Sequence, residues 1–160
     1  MERKLADDGV TGKAARPMDL AFAEAIRARD LGEVPVGAVI VSADGELLAS
    51  ASNRTLSFRD PTAHAELLAI RAACAKLGSE RLIDCDLYVT LEPCAMCAAA
   101  ISFARIRRLY FGASDPKGGA VEHGPRLFSQ ATCHHRPEIV GGLDVSQAAS
   151  LLRDFFAGRR

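Results

Sequence analysis

The chain has 160 residues, 49% of them hydrophobic and 25% charged, which gives room for one domain with a real core and too little for two. Charged or polar residues interrupt every apolar run, so none can span a bilayer, and the opening MERKLADDGVTGKAAR has no apolar centre and is not a secretory signal. These features predict a mobile tail over residues 1–16, a single domain over 17–160, a cytoplasmic location and no membrane partner.

Formal net charge is zero, which argues against a phosphate-rich partner until the distribution is considered. Residues 31–104 carry five positive and nine negative side chains, whereas residues 105–160 carry nine positive and five negative. A basic face is therefore compatible with a neutral total; the alternative is a uniformly solvated surface. Five cysteines are an odd number, and a cytoplasmic chain keeps them reduced and available to a metal.

In chain order, Pro17 to about Arg29 reads as a helix, with Leu20, Ala23, Ile26 and Ala21, Ala25 on its apolar side. VPVGAVIV and ELLASAS read as strands, and Asp44-Gly45 between them favours a tight antiparallel hairpin. Asp60 is the expected N-cap of a helix from Pro61 to Leu77, ended by Gly78 and striped by Ala63, Leu67, Ile70, Cys74 and Leu77. DLYVTLE is a strand, PCAMCAAAISFARI a helix opened by Pro93, and RRLYFGA a strand, so strand, helix and strand imply a right-handed crossover with parallel pairing. Residues 114–124 are loop, RPEIVGGL holds a short last strand, and Val145–Phe156 closes the chain as a helix. The expected architecture is α/β, one mixed five-stranded sheet sandwiched by helices.

Two stretches carry chemistry. Cys94 and Cys97 start a helix three residues apart, a common half of a zinc site, with a redox dithiol as the competing reading. His64 and Glu66 stand in TAHAELLAI; on one continuous helix they lie roughly 200° apart, so the start of the helix must be what aims both at one place. A lone histidine there reads as a packed residue and a lone glutamate as a solvated charge. Together, one His and two Cys leave the fourth tetrahedral position of Zn2+ open, which is the catalytic pattern. An open zinc lowers the pKa of water, and Glu66 as a non-ligand carboxylate is placed to move the proton to a leaving nitrogen. H-x-E followed by P-C-x-x-C resembles the signature of zinc deaminases acting on nucleobases.

The segments EVPVGAVIV, NRT, DPTAHAE, RLIDCDLYVTLEPCAMCAAAI, ARIRRLYFGASDPKGGA and LLRDFFAGRR resemble the bacterial tRNA-specific adenosine deaminase family over nearly the whole chain from Met18 onward. The resemblance implies a cytidine deaminase-like three-layer α/β/α sandwich and conversion of the wobble adenosine of an arginine tRNA with an ACG anticodon to inosine. It implies one zinc per subunit, held by His64, Cys94 and Cys97, with Glu66 shuttling protons during attack at C6. It further implies Asn53 at the edge of the inserted base, Asp115 near an adjacent ribose, and a homodimer binding the anticodon stem-loop, with no DNA partner. Turn and loop support are the plain readings of Asn53 and Asp115.

An unpaired anticodon base is cheaper to flip than one in a duplex. Arg107, Arg108, Lys117, Arg126, Arg153, Arg159 and Arg160 are available to follow phosphates. Phe156, beside Phe155, offers a stacking surface. One departure concerns CHHRPEI, which places His134 where relatives often carry Asn and sets Cys133, His134 and His135 side by side as a weak second metal candidate. The rival readings are a deaminase of free guanine, cytosine or cytidine, and a noncatalytic RNA-binding subunit.

Overall fold

The computed structural model describes residues 15–159. The tail expectation for residues 1–14, and Arg160, lie outside the described residues. Arg16 belongs to the structure rather than to a tail: its guanidinium pairs with Asp19 at 2.9 Å and Asp144 at 3.2 Å.

Helix α1 spans Pro17–Asp30. Its buried face is Met18, Ala21, Phe22, Ala25 and Ala28, so Ala21 and Ala25 are placed as expected, whereas Ala23 and Ile26 point to solvent and Leu20 is half-buried. The small side chains win because the helix backbone lies directly on the sheet: a Cβ on Gly37 would collide with the Ala21 carbonyl and the Ala25 nitrogen.

Strands β1 (Gly37–Val41) and β2 (Leu47–Ser52) pair antiparallel, as the sequence predicts. The turn is longer than two residues. Gly45 has φ +84° and donates its N–H to Ser42 O, while Asp44 stays at negative φ; the two-residue type I′ turn needs positive φ at both central positions. The short helix α2 (Thr55–Phe58), absent from the sequence reading, follows β2.

Helix α3 spans Ala65–Leu77 and ends at Gly78 with φ +64°. It begins four residues later than expected. Its buried residues are Ala65, Glu66, Ala69, Ile70 and Ala73, whereas Leu67 and Cys74 are only half-buried and Leu77 is exposed. Strand β3 (Asp86–Leu91), helix α4 (Ala95–Phe103) and strand β4 (Arg108–Ala113) form the expected parallel crossover. Tyr88 and Tyr110 stack across that pair at 4.3 Å between ring centres. After a 3-10 turn at Leu127–Ser129, β5 (Glu138–Val140) pairs parallel with β4, and α5 (Val145–Ala157) closes the chain.

The five-stranded mixed sheet has the order β2-β1-β3-β4-β5. Alternation along the strands divides two cores. Ala38, Ile40, Leu87, Val89 and Phe111 pack with Ala69, Ala73, Ala98 and Ile101 of α3 and α4; Val39 and Ala113 pack with Met18, Phe22 and Ala148 of α1 and α5. Helices therefore cover both faces, giving the expected α/β sandwich. No helix among the described residues is long and apolar enough to cross a membrane.

Candidate active site

Both helices of one face begin with a prospective ligand. His64 is the N-cap of α3, with extended φ −74° and ψ 149°, and its carbonyl accepts the Leu68 N–H at 3.0 Å. Asp60 does not cap this helix. Its carboxylate accepts the N–H and hydroxyl of Thr62 at 2.8 and 2.7 Å, building a turn that delivers His64. Cys94 is likewise the N-cap of α4, so Pro93 precedes the helix instead of opening it, and Cys97 lies one turn inside.

This arrangement answers the spacing puzzle. His64 stands before the helix and Glu66 on its first turn, so the angle between them on a continuous helix never applies. Helix N-termini expose unpaired N–H groups and positive dipole ends, which favour thiolate.

His64 Nδ1 lies 3.6 Å from Cys94 Sγ and 3.5 Å from Cys97 Sγ. A tetrahedral zinc with bonds of about 2.0 Å to nitrogen and about 2.3 Å to sulfur sets such ligands about 3.5 Å apart, so the donor set fits the ion in kind and spacing. Cys94 is held down to about 4 by the hydrogen bond from Cys97, with burial opposing and His64 adding to the effect. The Cys97 thiol goes up, because it donates to Cys94 and is buried beside Glu66. His64 is raised by its hydrogen bond to Cys94, against burial.

Glu66 is 4% exposed. Burial pushes its carboxyl above the usual range, opposed by the hydrogen bond from Cys97. A carboxyl so shifted is better matched to passing a proton near neutral pH than a solvated one.

His64 and Cys94 open into a cavity of about 320 Å³ at the carboxyl ends of β3 and β4. Val34, Val36 and Leu91 supply apolar walls, and Asn53, Thr55, Glu66, Glu92 and Asp115 supply polar groups. Asn53, 6% exposed, follows β2 and is fixed by its N–H to Val36 O at 3.0 Å. Asp115 follows β4, and one of its oxygens accepts the Lys117 and Gly118 N–H groups at 3.2 and 3.0 Å, so it supports its loop as well as lining the cavity. The structure thus brings together six of the eight site residues that the sequence points to, with Cys97 at the ligand edge.

Phe156 and Arg159 are not in the cavity. Phe156, 54% exposed, faces a separate surface recess with Leu152 and Arg153. Arg159 donates to Gly32 O at 2.7 Å and stacks on Phe155 at 4.2 Å, next to the segment that supplies Val34. Two expected phosphate contacts are also engaged elsewhere: Arg107 forms a two-pronged pair with buried Asp86 at 2.9 and 2.8 Å, and Arg108 pairs with Glu138 at 2.9 Å.

Cys133, His134 and His135 do not converge on an ion site among the described residues. His135 Nε2 contacts Ile106 O at 2.6 Å and Cys133 Sγ donates to His135 O at 3.2 Å. With Phe103 and Leu127, Cys133 and His134 line a recess of about 190 Å³ that contains none of the zinc-site residues. Glu33 and Glu92 are among the buried carboxylates that the sequence analysis does not single out. Their signal was a lone acid beside an apolar strand run, in EVPVGAVIV and YVTLEPC.

Residues 12–113 match the family model of the cytidine and deoxycytidylate deaminase zinc-binding region. Fold and site together define a zinc-dependent deaminase of that class. A tRNA-specific adenosine deaminase from Agrobacterium fabrum is 61% identical over 89% of this chain and 93% of its own length. A solved chain from work on A-to-I editing by tRNA:A34 deaminases at the wobble position of transfer RNA superposes with TM-score 0.83. It is 61% identical, over 85% of this chain and 98% of that one. Guanine deaminase from Bacillus subtilis is more distant, at 34% identity and TM-score 0.61 over 89% and 91% of the two chains. The chain belongs to the tRNA-specific adenosine deaminase family.

Proposed function

We propose that this protein deaminates the wobble adenosine of a tRNA anticodon to inosine by hydrolysis, acting on an arginine tRNA with an ACG anticodon. The observation that carries the reading is the convergence of His64, Cys94, Cys97 and buried Glu66 in one cavity with Asn53 and Asp115 on its walls. The higher identity to tRNA-specific relatives than to guanine deaminase supports the substrate.

His64, Cys94 and Cys97 hold zinc, which when bound supplies the Lewis acidity that makes water nucleophilic near neutral pH. Glu66 takes a proton from the attacking water and passes it to N1 as the oxygen bonds to C6 and the C6=N1 double bond opens. It then carries the remaining hydroxyl proton to the amino nitrogen as the C6–N bond breaks, ammonia leaves and the C6 carbonyl forms. Asn53 holds the edge of the inserted base. Val34, Val36 and Leu91 exclude bulk solvent, and Asp115 meets the ribose beside the target. Residues 17–160 act as one deaminase domain, as a cytoplasmic homodimer.

Nucleoside mass spectrometry after incubation with the arginine tRNA, beside free adenosine, cytidine and guanine, tests the reading. Inosine at the wobble position is the expected result. Consumption of a free base with untouched tRNA would keep the site chemistry and overturn the substrate.

A further inference from the structure

Glu92 is 2% exposed and sits between the end of β3 and the ligand Cys94. Its own N–H is fixed on Ala113 O at 2.8 Å, locking it to β4. One carboxylate oxygen accepts the Asp115 N–H at 3.0 Å and His123 Nδ1 at 2.8 Å. The other accepts the N–H groups of Val121, Glu122 and His123 at 3.2, 3.1 and 3.2 Å.

A carboxylate offers about four lone-pair sites, so five donors leave no capacity for substrate or ion. That removes the nearby grouping of Glu92, Glu122 and His123 as a metal site. The side chain instead gathers a loop of high sequence separation around itself, and the first residue that it holds by the backbone is Asp115. The fit is tight, since a Cβ on Gly119 would collide with the Glu92 carboxylate and the Asp115 carbonyl.

We infer that Glu92 is a positioning residue of the deaminase reaction: its saturated carboxylate sets the 115–123 loop so that Asp115 faces the substrate beside the target base. The inference rests on the proposed function. Glutamine at position 92 keeps the volume but must turn its NH2 toward N–H donors on one side or the other, which repels the loop. Gly119→Ala disturbs the same contact from the loop side and leaves every residue of the segment that carries Cys94 unchanged.

Wild type, Glu92→Gln and Gly119→Ala are assayed for zinc per chain, folded fraction, and kcat and KM on the anticodon stem-loop of the arginine tRNA. Both variants are expected to keep zinc and to lose roughly tenfold to hundredfold in kcat/KM per zinc-loaded chain, as misplacement near the reacting centre does. Hydrogen exchange at the Val121, Glu122 and His123 amides is expected to accelerate. A structural role alone lowers the folded fraction and leaves kcat and KM per loaded chain unchanged, and that result overturns the inference; Gly119→Ala decides if Glu92→Gln does not fold. Wild-type protein without turnover on this RNA would overturn the functional proposal, and the inference with it.

Discussion

Glu66→Gln separates proton transfer from metal binding and shape. The side chain is 4% exposed and lies beside Cys97, but the group of donors that could hold a metal ion is His64, Cys94 and Cys97. Glutamine preserves the volume and abolishes the acid–base function. General acid–base catalysis contributes about 10²- to 10⁴-fold, so kcat is expected to fall by that factor, equivalent to about 3–5 kcal/mol of activation free energy. KM should change little, because the cavity walls remain. The amide is neutral, so it also removes the burial cost that raises the carboxyl's pKa, and the melting temperature should not fall. Single-turnover assays on the stem-loop, with zinc measured on the same samples, give the answer. Turnover within tenfold of wild type in a zinc-loaded variant would refute Glu66 as the shuttle; loss of zinc would show that the carboxylate supports the ligands instead.

Gly37→Ala forces a methyl into the α1 backbone at Ala21 and Ala25; overpacking against backbone is expected to cost about 2 kcal/mol or more in denaturant unfolding, and an unchanged midpoint would contradict the close approach of helix and sheet. Glu33 accepts the Ser57 N–H and hydroxyl at 2.6 and 2.7 Å and the Leu56 N–H at 3.2 Å. Burial raises its pKa, but these bonds outweigh burial and the folded value lies below the ordinary 4.5. Its stabilisation is therefore full above about pH 4.5 and lost as pH falls through the lower folded value; the stability gap between wild type and Glu33→Gln should close below that pH, and a gap independent of acid would remove the linkage. Arg159→Ala frees Gly32 and Phe155 from the guanidinium and is expected to raise the KM for tRNA severalfold with zinc intact, whereas an unchanged KM would remove Arg159 from the binding face.

Local sequence pattern was enough to place the strands, the Asp44-Gly45 reversal, the parallel crossover through α4 and the candidate metal donors His64, Cys94 and Cys97. Those features rest on local periodicity, turn chemistry and a spacing that few other uses of His, Glu and Cys share. That His64 and Cys94 are helix N-caps follows from the packed chain and not from local pattern. Asp60 had two local uses, helix cap or turn, and it took the turn with Thr62. The buried faces of α1 and α3 were likewise settled by how closely each backbone approaches the sheet, which favours alanine over leucine at the contact. Side chains whose partners lie far along the chain were illegible for the same reason. Arg107 resembled a phosphate contact until Asp86 claimed it, and Glu92 looked like any acid at a strand end until the fold carried residues 115–123 around it. A sequence states which donors and acceptors exist; where each hydrogen bond is completed depends on which distant segments packing brings within reach.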